Sequence, residues 1–256
     1  MQQRPAVLVI AATDSSGGAG LTRDVRVLED LSIDALCVVT AVTAQSNSRV
    51  AAVHHVPPEV IRAQMAAAFE TRAIGAIKIG MLGTHATVDA VVEGLIASGA
   101  TVPIVVDPVL MSSSGGVLLD ASGRATLLGR LFPRATLVTP NVPEVAALLE
   151  ESAAGDETEL IRQGRALLRF GSGAVLIKGG HREEEEAVDL LISAQRQGQE
   201  KEGVERIMSR RVTGSSRGTG CALASAIAGG LAQGKTLSES CRQAKNHVLE
   251  MLTRVS

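Results

Sequence analysis

Asp107, Glu144, Lys178 and the run Arg217-Gly-Thr-Gly-Cys221 each close or follow a short apolar stretch, where a side chain or amide can meet a ligand. Two carboxylates at neighbouring strand ends can hold Mg²⁺, a hard cation that keeps several waters and binds through one or two carboxylates plus phosphate oxygens. Asn141 and Glu144 read equally well as a helix N-cap with a Glu three residues on. Lys178, in Lys178-Gly-Gly-His181, puts a flexible ammonium where it can meet a phosphate as a point charge, although a lysine at a strand end is more often simply solvated. The amides of Gly218, Thr219, Gly220 and Cys221 open a helix of small residues and can face an anion. A thiol at that place is expected to have a lowered pKa and to serve as a base; the plain alternative for Cys221 is a small buried apolar residue.

A further glycine-rich loop, Asp14-Ser-Ser-Gly-Gly-Ala-Gly20, follows the first apolar run and fits either close approach of backbone to a ligand or a tight strand-to-helix turn. It matches neither GxGxxG nor GxxxxGK(S/T). Gly229 to Thr236 does match the latter, but it follows a helix instead of a strand and reads as an interhelical turn. Gly214-Ser-Ser216-Arg-Gly218 matches a nucleophile elbow, yet only Glu239 and Glu250 follow as acids, both in the terminal helices with His247; a serine hydrolase is the poorer reading.

These residues need a scaffold that aligns strand ends. Short β-branched runs alternate with stretches of helical period, the pattern of a mostly parallel sheet covered on both faces. Strands are expected at Ala6–Ala12, Leu36–Thr43, Ala76–Ile79, Ile104–Asp107, Leu137–Thr139 and Ala174–Ile177. Helices are expected at Leu21–Leu31, Pro58–Thr71, Thr84–Ala97, Ala121–Leu131, Val142–Glu150 and Glu157–Phe170, the last capped by Asp156 with Glu159 three residues on. After Ile177 a charge run at Arg182–Glu186 and a polar stretch at Gln195–Gly203 read as the tip of an antiparallel hairpin. Helices over Cys221–Ala232 and Leu237–Leu252 close the chain. No repeat and no domain boundary interrupts residues 1–256, so one α/β domain is expected.

Composition narrows the partners. Lys and Arg total 25 against 27 Asp and Glu, Trp and Tyr are absent, and only Phe69, Phe132 and Phe170 are aromatic, which disfavours nucleic acid. Cys37, Cys221 and Cys241 are odd in number and never in CxxC spacing, so a reducing cytoplasm fits better than a disulfide framework or zinc site. The apolar run near the N-terminus reads as a strand, not a signal peptide, and no stretch approaches the ~18 apolar residues of a membrane span.

The ordered segments Asp14-Ser-Ser-Gly-Gly-Ala-Gly-Leu21 with Asp24, Thr40-Ala-Val-Thr-Ala-Gln-Ser46, Lys78-Ile-Gly-Met-Leu-Gly83, Val106-Asp-Pro-Val-Leu-Met111, Thr139-Pro-Asn-Val-Pro-Glu-Val-Ala146, Val175-Leu-Ile-Lys-Gly-Gly-His-Arg182 and Gly218-Thr-Gly-Cys221 onward to Gly229 resemble the hydroxymethylpyrimidine/phosphomethylpyrimidine kinases of the ribokinase-like superfamily. The resemblance implies a three-layer αβα sandwich with a small β-hairpin lid, ATP and Mg²⁺ as co-substrates, a homodimer, and two phosphorylations in the thiamine pathway, first of the alcohol and then of its monophosphate. It also implies the site roles. Gln45 would hydrogen-bond the aminopyrimidine, Ala12, Gly20, Met81 and Val109 would line the pocket, and Asp24 would lie near it. Asp107 and Glu144 would organise Mg²⁺. Lys178, Asn141, Asp107 and Lys245 would serve ATP and its phosphates, Gly218, Thr219 and Gly220 would form the anion hole, and Cys221 would be the base. A pyridoxine or pyridoxal kinase shares nearly all these motifs, and Gln45 favours the pyrimidine because a buried amide left unpaired beside a pyridine would cost about 1–3 kcal/mol. A non-catalytic pyrimidine-binding protein would not need Asp107, Lys178 and Cys221.

Overall fold

The structure, a computed structural model, describes residues 3–46, 48–112, 115–179, 186–194, 203–212 and 217–255. Its first strand, β1 (Ala6–Ala11), is buried at every position, and the pleat divides those side chains between two cores. Val7, Val9 and Ala11 join one core; Leu8 and Ile10 join the other. A strand buried on both faces belongs in the interior of a parallel sheet, and β1 occupies that place.

The chain continues through α1 (Gly20–Asp30), β2 (Asp34–Val39), β3 (Ala41–Gln45), β4 (Val50–His55), α2 (Pro58–Thr71), β5 (Ala76–Ile79), α3 (His85–Ser98) and β6 (Ile104–Val106). Then come α4 (Ala121–Thr126), extended by a π-helical turn at Leu127–Leu131 and a 3₁₀ turn at Phe132–Arg134, β7 (Leu137–Val138), α5 (Val142–Leu149) and α6 (Glu157–Leu168). The remaining elements are β8 (Ala174–Ile177), β9 (Glu186–Ser193), β10 (Gly203–Arg210), α7 (Thr219–Ala232) and α8 (Leu237–Val255). Eight strands form one sheet in the order β10-β9-β8-β7-β6-β5-β1-β2. Six of them are parallel, and β9 and β10 extend the edge antiparallel. Residues of α1, α7 and α8 pack with Val7, Val9 and Ala11 on one face, and residues of α2, α3, α5 and α6 pack with Leu8 and Ile10 on the other. The expected three layers are therefore present.

Two expectations change. The single strand read over Leu36–Thr43 is two strands, because the chain leaves the main sheet at the buried Thr40, whose hydroxyl donates to the Met81 carbonyl at 2.7 Å. Beyond it, β3 pairs antiparallel with β4 in a separate two-stranded sheet, and β4 was not anticipated: its side chains stay half-buried or exposed and give no core-facing alternation. The hairpin expected after Ile177 exists as β9 and β10, but it widens the main sheet, and the small detached hairpin is β3–β4. Of the tip expected between Arg182 and Gly203, Glu186 begins β9 and Gly203 begins β10, whereas residues 182–185 and 195–202, like His181 and the elbow residues Gly214–Ser216, lie outside the described residues. Gly229 to Thr236 runs from α7 into the α7–α8 turn, with Thr236 bonded to Glu239 and Lys235 to Gln243, so it is no phosphate loop.

Phe132 is fully buried in the larger core. Phe132→Ala is expected to lower unfolding stability by about 3–5 kcal/mol in urea titration, through lost transfer energy plus the cavity left behind.

Candidate active site

The C-terminal ends of β6, β7 and β8 meet the N-terminus of α7, the usual ligand-binding edge of such sheets. Asp107 is buried just after β6, and its Oδ1 accepts from the Lys178 ammonium at 2.8 Å and from the Thr139 hydroxyl at 3.1 Å. Glu144 Oε2 lies 3.8 Å from the same ammonium. The Asn141–Glu144 pair forms a reciprocal capping box, each backbone amide donating to the other's side chain at 2.8 Å. That cap fixes where the Glu144 carboxylate stands. Burial raises the Glu144 pKa more than Lys178 lowers it. For Lys178, burial works against the charge, but Asp107 and Glu144 outweigh it and keep the ammonium protonated above the ordinary lysine range. Gly220 closes this group: a Cβ built there would stand 3.1 Å from Lys178 Nζ and 3.5 Å from Asp107 Oδ2.

Two glycines let the loops interlock. Gly218, with φ 75°, precedes α7, and Gly20, with φ 58°, begins α1; side chains there would overlap the Gly18 and Ala12 carbonyl oxygens respectively. Cys221 lies in the first turn of α7, where the Gly20 backbone N–H favours its thiolate. Its thiol is not lowered as expected. Although Cys221 keeps some surface towards solvent, burial pushes it up to about 11, and Lys78 and the Gly20 amide offset only part of that. Desolvation therefore outweighs the helix N-terminus at this sulfur.

Beneath Cys221 lies an ion pair without solvent contact. Lys78 Nζ, on β5, stands 2.7 Å from Asp24 Oδ2, on α1, and both side chains are 0% exposed. Ser225, one turn beyond Cys221 on α7, donates to Asp24 Oδ1 at 2.8 Å. Burial disfavours the lysine charge, but Asp24, Cys221 and Asp107 outweigh it and hold Lys78 above its ordinary range; burial also raises Asp24, against Lys78 and Ser225. With a 2.7 Å contact in a dry site, the ammonium–carboxylate form is the one the geometry supports. Asp24 is therefore sealed from solvent with Lys78 and Ser225.

The loop after β1 meets the end of β3. Ala12 is buried, and its carbonyl accepts from Leu21 N–H at 3.0 Å. The Ser15 hydroxyl lies 2.8 Å from both the backbone N and O of Gln45, and the Gln45 side-chain oxygen lies 3.4 Å from the Thr43 hydroxyl. Thr40 fixes the Met81 carbonyl, and Val109 N–H donates to the Asp107 carbonyl at 2.9 Å, so Met81 and Val109 both hang on segments already described. Lys245 does not reach this group. Its Nζ is 2.7 Å from Asp189 Oδ2, and Asp189 Oδ1 accepts the Gly179 N–H at 3.0 Å, so it acts on the segment after Lys178 at one remove.

A sequence model of the phosphomethylpyrimidine kinase family matches residues 14–255. The chain belongs to that family. The hydroxymethylpyrimidine/phosphomethylpyrimidine kinase of Rhizobium meliloti is 40% identical over 242 residues, covering 94% of this chain and 88% of the relative. The Escherichia coli protein of that name is 37% identical, covering 96% and 90%. Among solved structures, a phosphomethylpyrimidine kinase from Clostridium difficile superposes with a TM-score of 0.82 at 32% identity, covering 97% of this chain and all of that one. A pyridoxal kinase from Staphylococcus aureus in complex with ADP superposes with 0.85 at 28% identity, covering 97% and 88%.

Family membership makes the chain a phosphotransferase and turns attention to what this site could hold. No group of three metal-ligating side chains occurs among the described residues. Asp107 and Glu144, flanking one ammonium, form a donor set suited to Mg²⁺ shared with phosphate oxygens, and too sparse for a metal held by protein alone. Sequence reasoning gave Lys78 and Ser225 no role. The signal was present, since a lysine inside the four-residue strand Ala76–Ile79, buried at every position, is an anomaly that demands a partner.

Lys78→Met is expected to destabilise the fold by about 3–5 kcal/mol in denaturant titration, because it leaves Asp24 buried and unpaired. In a Cys37→Ser background, alkylation of Cys221 by iodoacetamide is expected to accelerate about tenfold per pH unit between pH 7 and 10, as the thiolate fraction grows towards a pKa of about 11. A plateau near neutral pH would show a thiolate already formed.

Proposed function

We propose that this kinase transfers the γ-phosphoryl group of ATP to the hydroxymethyl group of 4-amino-5-hydroxymethyl-2-methylpyrimidine and then phosphorylates the monophosphate to the diphosphate, as a step in thiamine diphosphate biosynthesis. The observation that carries it is the meeting of Cys221, Gly220, Lys178 and Asp107 at the N-terminus of α7, in a chain whose relatives from Rhizobium meliloti and Escherichia coli bear that activity in their names. Gln45 is assigned to the aminopyrimidine edge, with Ala12, Gly20, Met81 and Val109 around the ring. Lys178, Asn141 and Asp107 are assigned to the phosphates. Mg²⁺ would be shared between Asp107, Glu144 and ATP and would neutralise phosphate charge. The reading takes residues 1–256 as one kinase domain, cytoplasmic and homodimeric. No helix among the described residues is long and apolar enough to cross a membrane.

In the first step the alcohol oxygen attacks the γ-phosphorus as the bond to the bridging oxygen of ADP breaks, and the alcohol proton passes to Cys221 in its thiolate form, leaving the thiol. Lys178 and the amides of Gly218 to Cys221 face the equatorial oxygens, where charge gathers in a metaphosphate-like transition state. Such a transition state asks little of a base until late, which suits a sulfur whose thiolate is strongly basic and sparse at neutral pH.

In the second step the acceptor is a phosphate oxygen that is largely ionised at pH 7, so there is hardly a proton to remove. Cys221→Ala is therefore expected to lower alcohol phosphorylation by ~10²-fold or more while sparing ATP binding and costing the second phosphorylation far less. ATP consumption measured with the alcohol, its monophosphate and pyridoxal tests the whole reading. Turnover on pyridoxal alone would overturn the assignment of Gln45, and near wild-type alcohol turnover by the variant would remove Cys221 as the base.

A further inference from the structure

Arg217 stands immediately before the glycine-rich turn, and its contacts with the loop after β1 and the end of β3 run away from that turn. Its Nη2 lies 3.3 Å from Asp14 Oδ2, and its Nη1 donates to the Ser16 hydroxyl at 3.2 Å and to the Ser46 carbonyl at 2.8 Å. Asp14 is buried, and its other oxygen already accepts the Ser16 amide at 2.9 Å and hydroxyl at 2.8 Å. Ser46 directly follows Gln45, whose own backbone is bound by Ser15. One guanidinium thus touches the loop after β1 and the end of β3 while its backbone leads into Gly218, which packs on Gly18 and Ala19. A planar fork with five donors can serve several acceptors at fixed angles; a lysine ammonium in the same place cannot reproduce them.

Resting on the reading above, we propose that Arg217 is a positioning residue that sets the separation between the ring-recognising segment at Gln45–Ser46 and the phosphoryl-binding turn at Gly218–Gly220. The acceptor bridges those segments, with its ring at one and its hydroxyl at the other. If they drift apart, the alcohol no longer stands in line with the γ-phosphorus, and water reaches it instead. Water then attacks, the bond to ADP breaks, and inorganic phosphate and a proton are released.

Arg217→Ala and Arg217→Lys test this against the wild-type chain. Removal of charge-assisted hydrogen bonds of this kind is expected to raise the KM for the pyrimidine alcohol about tenfold, with the KM for ATP unchanged. The phosphorylated pyrimidine formed per ATP consumed should fall, with Arg217→Lys intermediate. Amide hydrogen exchange over residues 41–46 should accelerate in Arg217→Ala. Unchanged coupling and unchanged exchange, with only a lower melting temperature, would overturn the proposal and leave Arg217 a purely structural side chain. If the wild-type protein turns over neither pyrimidine, the proposed function fails, and the exchange measurement still decides whether Arg217 holds the two segments together.

Discussion

The ion pair of Lys78 with Asp24 is the constraint around which the site is built. It joins β5 to α1, and through Ser225 it joins both to α7, so three elements that meet far apart in sequence share one dry contact. A pair taken this far from water contributes little net stability compared with a well-packed apolar trio, because desolvating two charges costs about what their attraction returns. Its consequence is registry. Either charge alone would be intolerable at 0% exposure, so α1, β5 and α7 can assemble only in the arrangement that brings the two groups together. The first turn of α7, with Gly220 and Cys221, inherits its place from that arrangement.

A second charged group lies above the first. Asp107, just after β6, and Glu144, in the first turn of α5, share the ammonium of Lys178, just after β8, and the segment after Lys178 is itself held by Asp189 and Lys245. The two lysines have opposite relations to solvent. Lys78 is sealed beneath the sulfur, whereas Lys178 reaches the surface at the edge where strand ends open. The desolvation that pushes the Cys221 thiol upward also works against the Lys78 charge, which Asp24 at 2.7 Å keeps in place.

Much of the scaffold was legible because its periodicities are strong. The runs at Ala6–Ala11, Ala76–Ile79 and Ala174–Ile177 are short, apolar and bounded by loops, and α2 was located to the residue by Pro58 at its start. The exit of the chain at Thr40 was not legible. Nothing local marks it, since the turn away from the sheet is stabilised by a carbonyl 41 residues away, and β4 lacks the alternation that betrays a half-buried strand.

Residue types at strand ends determined which groups could take part in phosphoryl chemistry: Asp107, Glu144, Lys178 and the turn from Gly218 to Cys221 were named from their sequence positions alone. The tertiary structure decided what each one experiences. Asp24 was sealed from water with Lys78, Lys245 went to Asp189, Arg217 reached across to Ser46, and the Cys221 thiol rose instead of falling. The physical reason is that residue type and spacing specify donors, acceptors and charges, while pKa and pairing depend on how much water is removed and which charge stands within a few ångströms. Those quantities exist only once distant segments have packed.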